Sequence, residues 1–332
     1  MITSVFEKII YLILSAVMSI SAIFAVQPAT DEPIEALRPD ELKVSFVAIA
    51  DTQFTTYTPN RYPNFKSTAE DLHNNNGKYD AIILAGDITE TGSAAEYQMV
   101  YNGLQGLNSK YIFAVGNHDV REQSYNSAVN KFTNFINMIN QENITDKLHY
   151  STEINGCKFI VIGTDEYQYE KAYINNEQLA WLEAEILSAN GQPVFIIGHQ
   201  PLKKTHGLPG TWRASALPDD GNIGEQSDEI KSIIEKYSNV FFITGHIHTG
   251  LGKYTYEKLG NAHLICLPSV SVANFGGDYN ANGTGFVTEV YDNEVVFRAR
   301  NFSNGKWIPE HDIVIPINTQ TPDAEAELFV QS

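Results

Sequence analysis

Apolar residues in this chain run in short blocks, and several blocks stop at a polar cluster. Val44 to Ala50 leads into Asp51-Thr52-Gln53, and Ala81 to Ala85 into Gly86-Asp87. Tyr111 to Val115 leads into Gly116-Asn117-His118-Asp119, Val194 to Ile197 into Gly198-His199-Gln200-Pro201, and Val240 to Ile243 into Gly245-His246-Ile247-His248. Runs of this length, rich in β-branched and aromatic side chains, predict buried strands. The clusters therefore fall at the carboxyl ends of strands, where layered α/β folds carry their catalytic loops.

Between the strands expected at 44–50, 80–85, 110–115, 157–163, 193–197 and 239–243, helical patterns are expected around 67–75, 93–104, 124–142, 176–189 and 226–237. Within 124–142, Val129, Phe132, Phe135, Ile136 and Ile139 recur at helical spacing on one face. Alternation of this kind predicts βαβ units. After His248 the pattern becomes all-β, with strands expected over 252–257, 262–267, 285–291, 294–300 and 312–316 and turn signals at Asp292-Asn293 and Asn304-Gly305. These strands are expected to form a second sheet packed on the first.

Composition is that of a globular chain: 332 residues, 43% hydrophobic and 11% aromatic. The net charge of −18 argues against binding nucleic-acid duplexes, whose affinity rests on basic residues displacing counterions. At physiological salt such a field decays over about 8 Å, so a local metal pair can still attract an anion. Lys8 precedes an uncharged run from Ile9 through Val26, which reads as an export signal or an N-terminal anchor over residues 1–29. The protein is accordingly expected to be exported (secreted, periplasmic or on the cell surface), touching a membrane only through that segment if it is not cleaved. Residues 30–42, with Pro33 and Pro39 among acidic side chains, read as a linker, 43–318 as one catalytic domain and 319–332 as a loose acidic tail. Cys157 and Cys266 each sit in an apolar stretch and are expected to be buried thiols, with a bridge between them as the alternative.

The clusters supply aspartates for charge, amide oxygens from asparagine and glutamine, and imidazole nitrogens, without a thiolate. That donor set suits hard or borderline divalent ions. Two histidines two apart, His246 and His248, would project to the same side if the strand conformation continued past Thr244.

In order and spacing the clusters resemble the calcineurin-like metallophosphoesterase superfamily, whose pattern runs Asp-x-His, Gly-Asp, Gly-Asn-His-Asp/Glu, a single His, and Gly-His-x-His. The last four elements match this chain residue for residue, from Gly86-Asp87 to His248. The resemblance implies a two-sheet α/β/β/α sandwich and a dinuclear centre of two divalent ions among Mn, Fe, Zn and Ni. It implies that Asp51, Gln53, Asp87 and His248 hold one ion, with Asp87 bridging to a second held also by Asn117, His199 and His246. His118 would face the scissile phosphoester, assisting the leaving group, and Asp119 would orient its imidazole by a hydrogen bond.

Gln53 departs from the family's usual histidine. Its amide oxygen is a harder, weaker donor, which shifts the expectation toward Mn or Fe over Zn at the first position. Two divalent ions against Asp51 and Asp87 leave a charge of roughly +2, selective for anions such as a phosphoryl group. The long loop from Lys203 to Glu225 offers His206, Trp212 and Arg213 as candidate contacts for a small phosphoester substrate. The function implied is metal-dependent phosphoester hydrolysis by a hydroxide attacking phosphorus, leaning to phosphodiesters. Phosphomonoester hydrolysis and a non-catalytic binding module on the same fold are the alternatives.

Overall fold

Every residue of β1 (Val44–Ile49), β2 (Ala81–Ala85), β6 (Val194–Ile197) and β7 (Val240–Thr244) is buried, as apolar runs covered on both faces must be. The computed structural model describes residues 32–55, 60–212 and 221–317. The segment expected to direct export, the acidic tail and Arg213 lie outside the described residues.

β1, β2 and β3 (Lys110–Ala114) run parallel. β10 (Thr284–Val290) joins the free edge of β1 antiparallel, with Val44 opposite Val290, and β11 (Glu294–Asn301), β12 (Lys306–Trp307) and β13 (Ile313–Pro316) extend that edge. The second sheet has the order β4-β5-β6-β7-β9-β8. In it β5 (Cys157–Val161), β6, β7 and β9 (Ala262–Cys266) are parallel, with β4 (Tyr150–Ile154) and β8 (Tyr256–Leu259) antiparallel at the two edges.

The strands after His248 thus do not make a sheet of their own. They are shared out, because β1 and β7 would otherwise expose rows of unpaired N–H and C=O groups. Two boundaries and one strand also differ from expectation. The strand expected at 252–257 is displaced to β8, since residues 253–255 turn and the Gly252 N–H donates to Thr255 Oγ1 at 2.9 Å. α1 (Tyr62–Asn74) begins before residue 67 because Pro63 occupies its first turn, where a missing N–H is no loss. β4 was not anticipated, since only Tyr150 of its five residues is buried and no apolar alternation marks it.

α2 (Ala94–Leu104) is started by a reciprocal capping box between Ser93 and Glu96. With α1 and α4 (Tyr125–Asn140) it shares the core of the first sheet, while α5 (Asn176–Ser188) and α6 (Ser227–Ile234) pack with the second. Aromatic rings knit the sheets together: Phe46 meets Phe159 and Phe195 at 5.4 and 4.8 Å between ring centres, and Phe241 meets Phe297 at 5.9 Å. The architecture is an α/β/β/α sandwich. Cys157 and Cys266 are free and buried.

Residues 33–42, expected as a linker, lie against the first sheet. Ile34 is buried with its N–H on Asn75 Oδ1 at 2.7 Å, and the Arg38 guanidinium stacks 3.9 Å from the Tyr291 ring. Nearby, Arg300 of β11 reaches across to α1 and donates from Nε and Nη2 to both oxygens of Asp71, at 2.9 and 2.6 Å. Both side chains are buried, so removing one partner strands a charge in the core. Asp71→Ala should therefore lower unfolding stability by about 3–5 kcal/mol in urea denaturation; a loss below about 1 kcal/mol would mean that the pair is dispensable.

Candidate metal centre

Parallel pairing of β1, β2 and β3 in one sheet, and of β6 and β7 in the other, brings five carboxyl ends to one rim of the sandwich. At that rim the chain turns sharply. Asp51, Gln53, Asp87, His246 and His248 all adopt left-handed φ, from 30° to 72°. Non-glycine residues rarely do so, and such strain persists where surrounding structure over-determines it, commonly at functional sites. The strand conformation consequently stops at Thr244, and the turns that follow place His246 in one ligand group and His248 in the other.

One group is Asp87, His199 and His246; the other is Asp51, Asp87 and His248; within each, the candidate ligand atoms lie within 4.8 Å of one another. His199 Nε2 is 3.2 Å from Asp87 Oδ2 and 3.1 Å from His246 Nδ1. His199 Nδ1 donates to the Ala85 carbonyl at 2.9 Å, which fixes the tautomer and leaves Nε2 as the nitrogen facing the group. His248 Nε2 lies 3.1 Å from Asp51 Oδ1, and the His246 backbone N–H also reaches that carboxylate, at 3.2 Å. Asp51, Asp87, His199 and His246 are buried.

Glycine stands before Asp87 and before Asn117 for a steric reason. A Cβ on Gly86 would come within 2.5 Å of the His199 side chain, and one on Gly116 within 2.1 Å of Asp87 Oδ1.

Electrostatics follow the packing. Burial opposes ionisation of Asp87, but the fields of His199, His118 and His246 outweigh it and hold the carboxyl well below the usual range. Burial likewise disfavours a charged His199, yet Asp87 and Asp51 overcome it and raise its pKa to about 9. His246 is pushed the other way by burial and by His199 beside it.

His118 sits at the open side of the groups, Nε2 4.0 Å from Asp87 Oδ2. Its backbone N–H donates to Asp87 Oδ1 at 2.9 Å, Nδ1 lies 3.1 Å from both the Glu90 carbonyl and Arg121 Nη2, and the Gln53 amide nitrogen lies 2.8 Å from Nε2. The expected hydrogen bond from Asp119 to the His118 ring is absent. Both Asp119 oxygens are already occupied by the N–H groups of Ile88, Thr89 and Gly116 and by the Thr89 hydroxyl, at 2.7–3.1 Å. Asp119 therefore holds the turn at the start of α3 (Asn117–Arg121), and Glu90 takes the place beside the imidazole. Burial pushes the Asp119 pKa up to about 6, against these donors.

The long loop divides. His206 is buried, its ring bonded to the Tyr254 carbonyl at 2.7 Å and its N–H to Glu257, so it pins the loop. Trp212 stacks on the His246 ring with centres 4.5 Å apart, and the Gly221 backbone packs against the indole. Glu170, which no motif marks, accepts from Asn117 Nδ2 at 2.8 Å. A lone glutamate in a connecting loop carries no spacing signal.

The donor set fits divalent ions on an observation independent of motif. Gln53 Oε1 and Asn117 Oδ1, which the resemblance assigns to the two ions, are buried without a hydrogen-bond partner. Orphaned amide oxygens are expensive inside a protein, and coordination would satisfy them.

The calcineurin-like phosphoesterase model matches residues 44–250. The chain belongs to that family. It is accordingly a hydrolase of phosphoester bonds, and the family together with these groups points to divalent metal. A probable cyclic nucleotide phosphodiesterase of Xenorhabdus bovienii is 25% identical over 192 residues, 57% of this chain and 70% of that protein. A probable glycerophosphodiester phosphodiesterase of Arcobacter nitrofigilis is 26% identical over 182 residues, 53% of this chain and 60% of that protein. Among solved structures, a dimetal phosphatase from Danio rerio superposes with a TM-score of 0.57 over 83% of this chain and 100% of that one; at 13% identity this is a likeness of fold.

For this phosphoesterase, the close approach at Gly116 makes a direct test. Gly116→Ala should displace Asp87 and weaken Mn2+ binding, followed by calorimetric titration, by about tenfold or more; unchanged affinity would mean that Asp87 is not held by that contact.

Proposed function

We propose that the protein hydrolyses small phosphodiesters with two divalent ions held side by side. Asp51, Gln53, Asp87 and His248 would hold one, and Asp87, Asn117, His199 and His246 the other. The observation that carries this reading is a single buried carboxylate, Asp87, belonging to both ligand groups. The mixed oxygen and nitrogen donors, without thiolate, suit Mn, Fe, Zn or Ni. When bound, the ions would supply Lewis acidity toward a phosphoryl group and acidify water at the site.

The chain's own contribution is orientation and a proton. Asp51 and Asp87 set the charge of the site, so an anionic phosphoryl group is drawn to it without a basic surface. His118 is anchored at Nδ1 by the Glu90 carbonyl and turns Nε2 toward Asp87. In this structure Nε2 accepts from the Gln53 amide nitrogen at 2.8 Å; once that contact is released, Nε2 is free to carry a proton to the leaving oxygen. Asp119 acts through the backbone, keeping His118 at the start of α3 by holding the turn at residues 88, 89 and 116. Preference for diesters is supported by the relatives' names, cyclic nucleotide and glycerophosphodiester phosphodiesterase.

With Mn2+ present, kcat/KM for bis(p-nitrophenyl) phosphate should exceed that for p-nitrophenyl phosphate; the reverse order would replace the diesterase with a monoesterase. His118→Asn should keep its metal and lose about 10²–10⁴ in rate on alkyl leaving groups, with a much smaller loss on nitrophenyl esters. Equal losses on the two would remove the proton-donor role.

A further inference from the structure

The loop joining β5 to α5 holds a buried carboxylate between exposed residues. Tyr167 and Tyr169 are 48% and 55% exposed, whereas Glu170 keeps 7%. A loop glutamate is ordinarily solvated, and burying one demands partners for its charge and its lone pairs. Both oxygens are used. Oε2 accepts from Asn117 Nδ2 and Oε1 from Arg121 Nη1, each at 2.8 Å, while the Glu170 carbonyl accepts from Gln200 Nε2 at 3.1 Å. The loop is therefore tied to two segments of the metal centre, since Asn117 opens α3 and Gln200 follows His199.

A primary amide has a donor end and an acceptor end, and a half-turn about its last bond exchanges them. Only the oxygen can serve a cation. In this protein the Asn117 nitrogen is occupied by Glu170, and the opposite end, Oδ1, is buried without a hydrogen-bond partner. Arg121 sits on the other carboxylate oxygen and lies 5.1 Å from the Tyr169 ring, which holds the carboxylate in place and compensates its charge.

We propose that Glu170 is a positioning residue that locks the Asn117 amide with Oδ1, not Nδ2, toward the group formed by Asp87, His199 and His246. This rests on the reading of that group as a metal site. The anionic acceptor also draws the amide proton and so strengthens Oδ1 as a donor, the usual effect of an outer hydrogen bond on a ligand.

The test uses the full chain and Mn2+ alone. Calorimetric titration gives affinity and stoichiometry, and electron paramagnetic resonance reports whether two ions are magnetically coupled. Glu170→Leu should weaken one of two Mn2+ ions about 10- to 100-fold and abolish the coupled signal, leaving the other ion unchanged. Glu170→Gln, which keeps an acceptor for Asn117, should restore nearly wild-type binding. Should the leucine variant lack the wild-type circular dichroism spectrum, Glu170→Ala replaces it, with the same losses expected. Binding of both ions with wild-type affinity by the leucine or alanine variant would overturn the positioning role, as would equal weakening in the glutamine variant. Failure of the unaltered protein to bind Mn2+ would instead strike the metal-site reading itself.

Discussion

The carboxylate of Asp87 is the constraint around which this molecule is organised. It is buried, held ionised, and surrounded by imidazoles from both halves of the sandwich, with His199 Nε2 at 3.2 Å and His118 Nε2 at 4.0 Å. A charge so placed is unfavourable unless positive partners and hydrogen bonds compensate it. Here they come from residues far apart in sequence: the His118 backbone N–H from the first sheet's rim and the His199 ring from the second's. The site and the joining of the two sheets are thus parts of one electrostatic requirement.

Strain at the rim is sustained by order beneath it. Five non-glycine residues in the left-handed region are held by strands whose every residue is buried and by an aromatic seam between the sheets. Gly86 and Gly116 then let the His199 and Asp87 side chains approach more closely than any Cβ would allow. The rigid core sets the register and the turns aim the side chains. Outer contacts finish the aim: Ala85 on His199, Glu90 on His118, Trp212 on His246 and Glu170 on Asn117.

What could be read in the sequence was what local chemistry marks. Apolar runs ending in Gly-Asp, Gly-Asn-His-Asp or Gly-His-x-His identified strands, their carboxyl ends and the residues gathered there, and the family match over residues 44–250 agrees with that order. What escaped depends on pairing across distance. Nothing near residue 285 states that β10 will close the edge of β1, nor that β8 and β9 will complete the other sheet. Asp119 looked like a partner for its neighbour His118, yet its oxygens are taken by backbone donors from the preceding turn, a competition visible only in three dimensions. The bonds that tie buried His206 to Tyr254 and Glu257 are likewise invisible in the loop's own sequence. Glu170 had no motif to announce it.

The central claim is that one carboxylate serves two ions. Anomalous diffraction from Mn2+-loaded crystals measures this most directly. Two peaks about 3.5–4 Å apart, one on each side of the Asp87 carboxylate, are predicted. A single peak, or two peaks of which only one is within bonding distance of Asp87, would contradict it.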